Sequence, residues 1–210
     1  MALSETQKSF FRNAYGDFWP FLQAMDVDRS ALHEQLERQC LDLGVYSIGP
    51  WFGSLLNFLT RFGGVTSALE FGTAIGYSAI WIAQGLAPGG LLTTIERSTK
   101  LVSLAQANLD RAGLRDRVEI RHGDAHTVAP TLQGPYDMIF VDCAHPTALV
   151  VSKRALREGG LFVCDNIGFS YLESFNRELL ASPHLQTLYL QCYLKGRTPE
   201  NTAFSVSIRR

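Results

Sequence analysis

The run from Val65 to Ala83 constrains this chain most: an apolar stretch meets two glycines four residues apart and passes into a helical pattern. Residues 65–71 are short, largely apolar and β-compatible, as a strand buried in a parallel sheet should be. Gly72 and Gly76 permit backbone angles and close approaches that a side chain would forbid. Beyond them Ile75, Ala79, Ile80, Ile82 and Ala83 recur at helical spacing, which predicts an amphipathic helix whose start offers free amide groups. Such a turn suits a ligand carrying a carboxylate or a ribose.

The spacing of the glycines separates two kinds of ligand. A dinucleotide fold wants G-x-G-x-x-G, with pyrophosphate over the helix N-terminus. Here the pattern is E-x-G-x-x-x-G, and Thr73-Ala74 stands in place of the middle glycine. Glu70 would repel a pyrophosphate, yet it can accept hydrogen bonds from an ammonium or a hydroxyl. The ligand expected is adenosyl rather than dinucleotide; an ordinary strand, turn and helix that binds nothing is the alternative.

The chain of 210 residues is long enough for one α/β domain with a substantial core. A formal net charge of −1 exerts no global pull toward nucleic acid or an anionic membrane. Arg111, Arg115, Arg117 and Arg121 do cluster, although Asp110, Asp116 and Glu119 among them read as a solvated helix-to-strand connection. Cys40, Cys143, Cys164 and Cys192 form no C-x-x-C pair, so they are expected as reduced thiols of a cytoplasmic protein. No signal-peptide core opens the chain, and no uncharged stretch approaches the ~20 apolar residues that span a bilayer.

No repeat or linker divides the sequence. Residues 1–62 are expected as N-terminal helices forming a cap, with Leu32, Leu36, Cys40 and Leu43 on one face, Leu55, Leu56, Leu59 and Phe62 on another, and Gly49-Pro50 between them. Residues 63–210 form the expected core. Strands are predicted over 91–96, 117–122, 136–142 and 161–165, with helices over 99–112 and 147–157, an alternation that implies a parallel sheet covered on both faces. A helix over 172–181 and strand-like runs over 185–193 and 203–208 follow, the last two read as a hairpin closing the sheet.

Ligands of an open parallel sheet sit beyond the carboxyl ends of its strands, so acidic residues there carry the most weight. Glu96 ends a strand and could accept both ribose hydroxyls, or cap the helix that follows. Asp124, in Gly123-Asp124-Ala125, could accept from an adenine amine or simply cap a turn. Asp142 and the pair Asp165-Asn166 end two further strands. If those strands are neighbours about 4.8 Å apart, their oxygens converge on a point that suits Mg²⁺, Ca²⁺ or Mn²⁺ rather than zinc. His145, held extended by Pro146, could lean toward the same point; with an ordinary pKa near 6.5 it can act as a base, or stand as a loop residue.

In combination, LEFGTAIGYSA, Glu96, HGDA, YDMIFVD and GGLFVCDN resemble the divalent-metal-dependent, S-adenosylmethionine-dependent O-methyltransferases of the catechol and caffeoyl-coenzyme A type, from about Ile48 to the C-terminus. The resemblance implies a Rossmann-like class I fold of seven mostly parallel strands with an antiparallel last strand. It implies that Glu70, Gly72 and Ser78 hold the methionine end of S-adenosyl-L-methionine, with Ile48-Gly49 closing over it. Glu96 would take the ribose, Asp124 and Ala125 would face the adenine, and Asp142 would lie near the cofactor. Asp142, Asp165 and Asn166 match the family's metal ligands, with Mg²⁺ expected first.

Two departures stand out. The family's D-x-x-K lysine is replaced by His145, which needs no depressed pKa to serve as a base. Only residues 167–174 separate Asp165-Asn166 from Phe175-Asn176 of the late helix, where bacterial members carry a longer loop. The expected reaction is methyl transfer to a hydroxyl of a small catechol-like acceptor, with Asp142 and His145 as catalytic residues. A hydroxyuridine of tRNA is an alternative acceptor, and a catalytically impaired S-adenosylmethionine-binding protein is an alternative from another class. No membrane partner is expected; a homodimer is the family-level expectation.

Overall fold

A computed structural model describes residues 27–142, 146–191 and 203–210, together with Ser9. From residue 27 the described chain opens with two helices, α1 (Ala31–Leu43) and α2 (Gly49–Phe62). Ser30 caps α1 by accepting from the His33 amide, Gly44 closes it in the left-handed conformation, and Pro50 sits in the first turn of α2, where a missing N–H costs nothing. The elements that follow are β1 (Ser67–Phe71), α3 (Tyr77–Gly85), β2 (Leu91–Glu96), α4 (Thr99–Arg111), β3 (Val118–His122), the one-turn α5 (Ala125–Val128), β4 (Tyr136–Val141), α6 (Pro146–Ala155), β5 (Leu156–Cys164), α7 (Glu173–Ala181), β6 (Leu185–Gln191) and β7 (Ala203–Arg209).

The seven strands lie in the order β3-β2-β1-β4-β5-β7-β6. β7 pairs antiparallel with both β5 and β6, and the other described pairs are parallel, so the late hairpin closes the sheet as expected. Alternate residues of β4 feed two cores. Met138 and Phe140 join the one beneath α1–α4; Ile139 and Val141 join the one beneath α5–α7. Burial on both faces is why residues 138–141 read as one unbroken apolar run.

Two elements depart from the sequence reading. α3 is not amphipathic: from Tyr77 to Gly85, every residue except Gln84 is buried. The sheet seals its inner side while α1 and α2 seal the outer, and Gly53 of α2 is what allows the approach, since a Cβ there would fall 2.3 Å from Trp81 Nε1. β5 also begins five residues before the predicted start, at Leu156, and α6 ends at Ala155. Gly159 and Gly160 read as a break, but they lie inside the strand, where the β4–β5 register shifts and Gly159 has φ 70°.

The amino end of the sheet is held by Asp137. One of its oxygens accepts from the Thr66 amide (2.7 Å), the Thr66 hydroxyl (2.8 Å) and the Ser67 amide (3.0 Å), and the other from Arg157 Nε (2.5 Å). Burial would raise this carboxyl, but the donors outweigh it and hold the pKa at about 2. Stability from Asp137 is therefore present above pH 3.8 and lost as pH falls through 2. Asp137→Ala is expected to cost roughly 2–3 kcal/mol of unfolding free energy, measured by urea denaturation at pH 7. No helix among the described residues is long and apolar enough to cross a membrane.

Candidate active site

The carboxyl ends of β2, β1, β4 and β5 form one edge, and short bonds carry their ladders a residue past the strands. The amides of Gly72 and Thr73 donate to Ile95 O (3.1 and 3.2 Å), Asp142 N to Phe71 O (3.2 Å), and Asp165 N to Val141 O (3.0 Å). The strand order reverses between β1 and β4, which opens the crevice where ligands of such sheets bind.

On the β1 side lies the glycine turn. Gly72 and Gly76 take φ of 98° and 90°, and Ala74 takes 47°. Angle rather than crowding requires glycine at position 76, since a Cβ there would meet Ala105 at an ordinary 3.5 Å. Four amides of the turn itself, ahead of the helix start, are already engaged. Besides those of Gly72 and Thr73, Ala74 N donates to Glu96 Oε2 (2.9 Å) and Gly76 N to Thr73 O (2.8 Å). These amides therefore do not form a pyrophosphate cradle, in line with the dinucleotide pattern being broken.

Glu70 and Glu96 brace the turn from below and from the side. Glu70 is fully buried and accepts from Ser78 Oγ at 2.5 Å and Thr94 Oγ1 at 2.6 Å. Burial pushes its carboxyl up to about 7 against the pull of these two donors, with the nearby negative Glu96 adding to the rise. Glu96, 8% exposed, accepts from Ser98 N as well as Ala74 N (each 2.9 Å). It is Ser98, not Glu96, that caps α4, through a bond from Leu101 N. A carboxylate has about four acceptor positions, so Glu96 retains capacity for hydroxyls. Asp124 caps α5 by accepting from His126 N (2.8 Å) and is itself exposed, while Ala125 is half-buried beside it.

On the β4 side, Val141 and Cys164 are register partners, so Asp142 and Asp165 leave neighbouring strands at matching positions. Asn166, at φ 62°, turns its side chain back, and its Nδ2 donates to Asp142 O (3.2 Å) and Oδ1 (3.3 Å). Asp165, 1% exposed, accepts from Asn166 N at 2.8 Å. The structure thus places these three residues together, with Asn166 bonded to both acids. Their donor set is entirely oxygen and fits a hard divalent cation. No cluster of three His, Cys, Asp or Glu occurs among the described residues, and here the third position is an amide.

The helices α1 and α2 pack on α3. Tyr77, at the start of α3, donates to Glu37 of α1 (2.8 Å); His33 stacks on Trp81 with ring centroids 4.1 Å apart. Cys40 of α1 is buried and feels the negative charges of Glu37 and Asp142; burial, then these charges, push its thiol up to about 11, so it stays protonated. Ile48 is buried immediately before α2. His145, Cys143, Cys192 and residues 10–26 of the expected cap lie outside the described residues.

Sequence reasoning passed over Thr73, Thr94 and Asn108. Asn108 is buried, and its Nδ2 donates to Ile75 O in the turn and to Gln39 of α1, each at 3.0 Å. The available signal was polarity out of place, a threonine pair inside the apolar strand and an asparagine on the inner face of α4. The arginines around β3 are engaged locally: Arg117 with the carbonyls of Leu86 and Ala87, Arg115 with Val118 O, Arg111 with Asn108, and Arg121 with Glu119.

A family model described as a methyltransferase domain matches residues 69–167. A catechol O-methyltransferase of Niastella koreensis is 41% identical over 128 residues, 58% of each chain, so the alignment spans little more than half of that relative. A Mycolicibacterium smegmatis protein assigned by name to the O-methyltransferases is 32% identical over 142 residues, 65% of this chain and 68% of the relative. Among solved structures, the O-methyltransferase of Bacillus cereus in complex with SAH superposes with a TM-score of 0.78 at 23% identity, over 94% of this chain and 99% of that one. Sheet order, strand-end acids and sequence similarity agree: the chain belongs to the S-adenosylmethionine-dependent O-methyltransferase family.

Proposed function

We propose that the chain moves a methyl group from S-adenosyl-L-methionine to a hydroxyl of a small acceptor bearing two neighbouring oxygens, as in a catechol. The observation that carries this reading is adjacency. Asp142 N is bonded to Phe71 O, so the oxygen cluster of Asp142, Asp165 and Asn166 shares one crevice with the glycine turn. In this reading Glu96 would accept from the ribose hydroxyls of the cofactor, and Asp124 and Ala125 would face its adenine. A divalent cation held by Asp142, Asp165 and Asn166, with Mg²⁺ the first candidate, would lower the pKa of the acceptor hydroxyl and orient it.

Transfer forms an oxygen–carbon bond, breaks the sulfonium–carbon bond and releases one proton, for which His145 is the candidate base. The sulfonium is already activated, so the residues of this site mainly supply position and electrostatics. An aromatic acceptor is supported by the short loop after Asn166. Phe169 donates its amide to Asn166 O (3.3 Å) and its ring stacks on that of Tyr171, centroids 5.2 Å apart, with Tyr171 73% exposed. The similarity to a catechol O-methyltransferase supports the same acceptor class. A tRNA acceptor is not favoured: the arginines around β3 are engaged with carbonyls and neighbouring side chains.

The test is a methyl-transfer assay over a panel of small catechols and bulk tRNA, with Mg²⁺ and with excess chelator. Mono-methylated catechol formed only in the presence of the cation is the expected product. Undiminished turnover under chelation would remove the cation from the reading, and methylated tRNA without methylated catechol would replace the acceptor.

A further inference from the structure

Both ends of the glycine turn are tied to a single buried carboxylate. At its entry, Thr73 Oγ1 lies 2.7 Å from Thr94 Oγ1, and Thr94 donates onward to Glu70 Oε2 at 2.6 Å. At its exit, Ser78 of α3 donates to Glu70 Oε1 at 2.5 Å. A hydroxyl has one hydrogen to give. Since that of Thr94 goes to Glu70, the hydrogen between the two threonines belongs to Thr73, and the chain runs from Thr73 through Thr94 to Glu70.

All four side chains are buried, between 0 and 5% exposed, which leaves little room for water to replace a lost partner. Glu70 and Thr94 are register partners on neighbouring strands, so the backbone ladder already holds β1 and β2 together without the hydroxyl. What the Thr94 hydroxyl adds is the connection to Thr73, and through it to the turn. The charged group that faces Glu70 is Glu96. It has the same sign, so Glu70 relies on its hydroxyl donors.

We infer that Thr94 is a positioning residue for the methyl donor: its hydroxyl joins the entry of the glycine turn to the carboxylate that also holds the exit. It reaches the cofactor through Thr73 and Glu70. The inference rests on the proposed reading that the turn holds the cofactor.

The test compares wild type with Thr94→Val, Thr94→Ser, Thr73→Val and the double valine variant, using calorimetric S-adenosylmethionine binding and methyl-transfer kinetics. Valine fills the volume of threonine without the hydroxyl. Thr94→Val is expected to raise both Kd and KM for the donor about tenfold, the size of one buried hydrogen bond, while kcat changes far less. Thr94→Ser should return close to wild type, and the double variant should lose no more than Thr94→Val alone, because both changes break one chain. Hydrogen exchange of the wild type with and without S-adenosylmethionine tests the underlying reading separately, through protection of residues 72–78. Absence of that protection overturns the placement of the cofactor. Protection together with an unchanged Kd in Thr94→Val, or a serine variant as weak as the valine, overturns this inference alone. If Thr94→Val does not fold, Thr73→Val decides by the same criterion, since it removes the outer end of the chain.

Discussion

Asp165→Asn is expected to lower methyl transfer about a hundredfold while leaving S-adenosylmethionine affinity within a factor of about three. The substitution keeps size and shape, and an amide oxygen can still accept from the Asn166 amide that now donates to Asp165 at 2.8 Å. What is lost is one negative charge, from the buried member of an oxygen cluster of two carboxylates and an amide. A loss of 10- to 100-fold is typical when the support of a metal site is weakened, and removal of a charged ligand belongs at or beyond the upper end. If Asp165 holds the proposed cation, initial rates should recover partly as Mg²⁺ is raised, since the defect would then be in affinity for it. An Asp165→Asn enzyme with wild-type rate and wild-type sensitivity to chelator would show that this corner does not serve the chemistry. Donor affinity is the control that separates the corner from the turn, since Asp165 belongs to β5 and the turn to β1.

Between pH 4.5 and 6.5 the wild-type protein should show a nearly level unfolding free energy, because two buried groups oppose each other. Burial, reinforced by Glu96, raises Glu70 to about 7 from an ordinary 4.5. The folded chain therefore keeps a proton that the unfolded chain releases. That stabilisation is complete below pH 4.5 and is lost as pH rises through 7. His33 works the other way. Burial first, and then the positive Arg29, lower it from 6.5 to about 4, so the folded chain refuses a proton that the unfolded chain accepts. Its stabilisation is complete above pH 6.5 and is lost as pH falls through 4. Each effect is worth about 3 kcal/mol.

Single variants should unmask the opposite slopes. Glu70→Gln leaves His33 in control, and stability should climb by about 3 kcal/mol from pH 4 to 6.5. His33→Phe, which can keep the stacking on Trp81, leaves Glu70 in control, and stability should fall by a similar amount from pH 4.5 to 7. Urea denaturation followed by tryptophan fluorescence at half-unit pH steps measures both. Parallel curves for the two variants would contradict the assignment.

Local signals in the chain were strong where structure depends on neighbours in sequence. The strand Leu91–Glu96 was predicted to the residue, because a Pro-Gly-Gly turn bounds it on one side and a capping serine follows on the other. The acids at strand ends were likewise visible, because strands in an open sheet end where apolar runs end. The β5 start was hidden by Gly159 and Gly160, whose local signature is a break although they lie in the irregular stretch of the strand between the Tyr136–Leu156 and Met138–Leu161 pairs. α3 looked one-sided by spacing, but helices α1 and α2 cover the side that a lone helix would leave wet.

The sequence alone therefore determined the order of elements and the chemical inventory of the site, since hydrophobic period, turn residues and caps act over a few positions. Only the tertiary structure decided which strands became neighbours, because pairing joins residues far apart in the chain. That choice set β1 beside β4 and β4 beside β5, so that Asp142 meets Asn166 and both stand next to the turn. It also set β1 beside β2, which turned Glu70 into a buried anchor for Ser78 and Thr94 beneath the turn rather than a group on its surface.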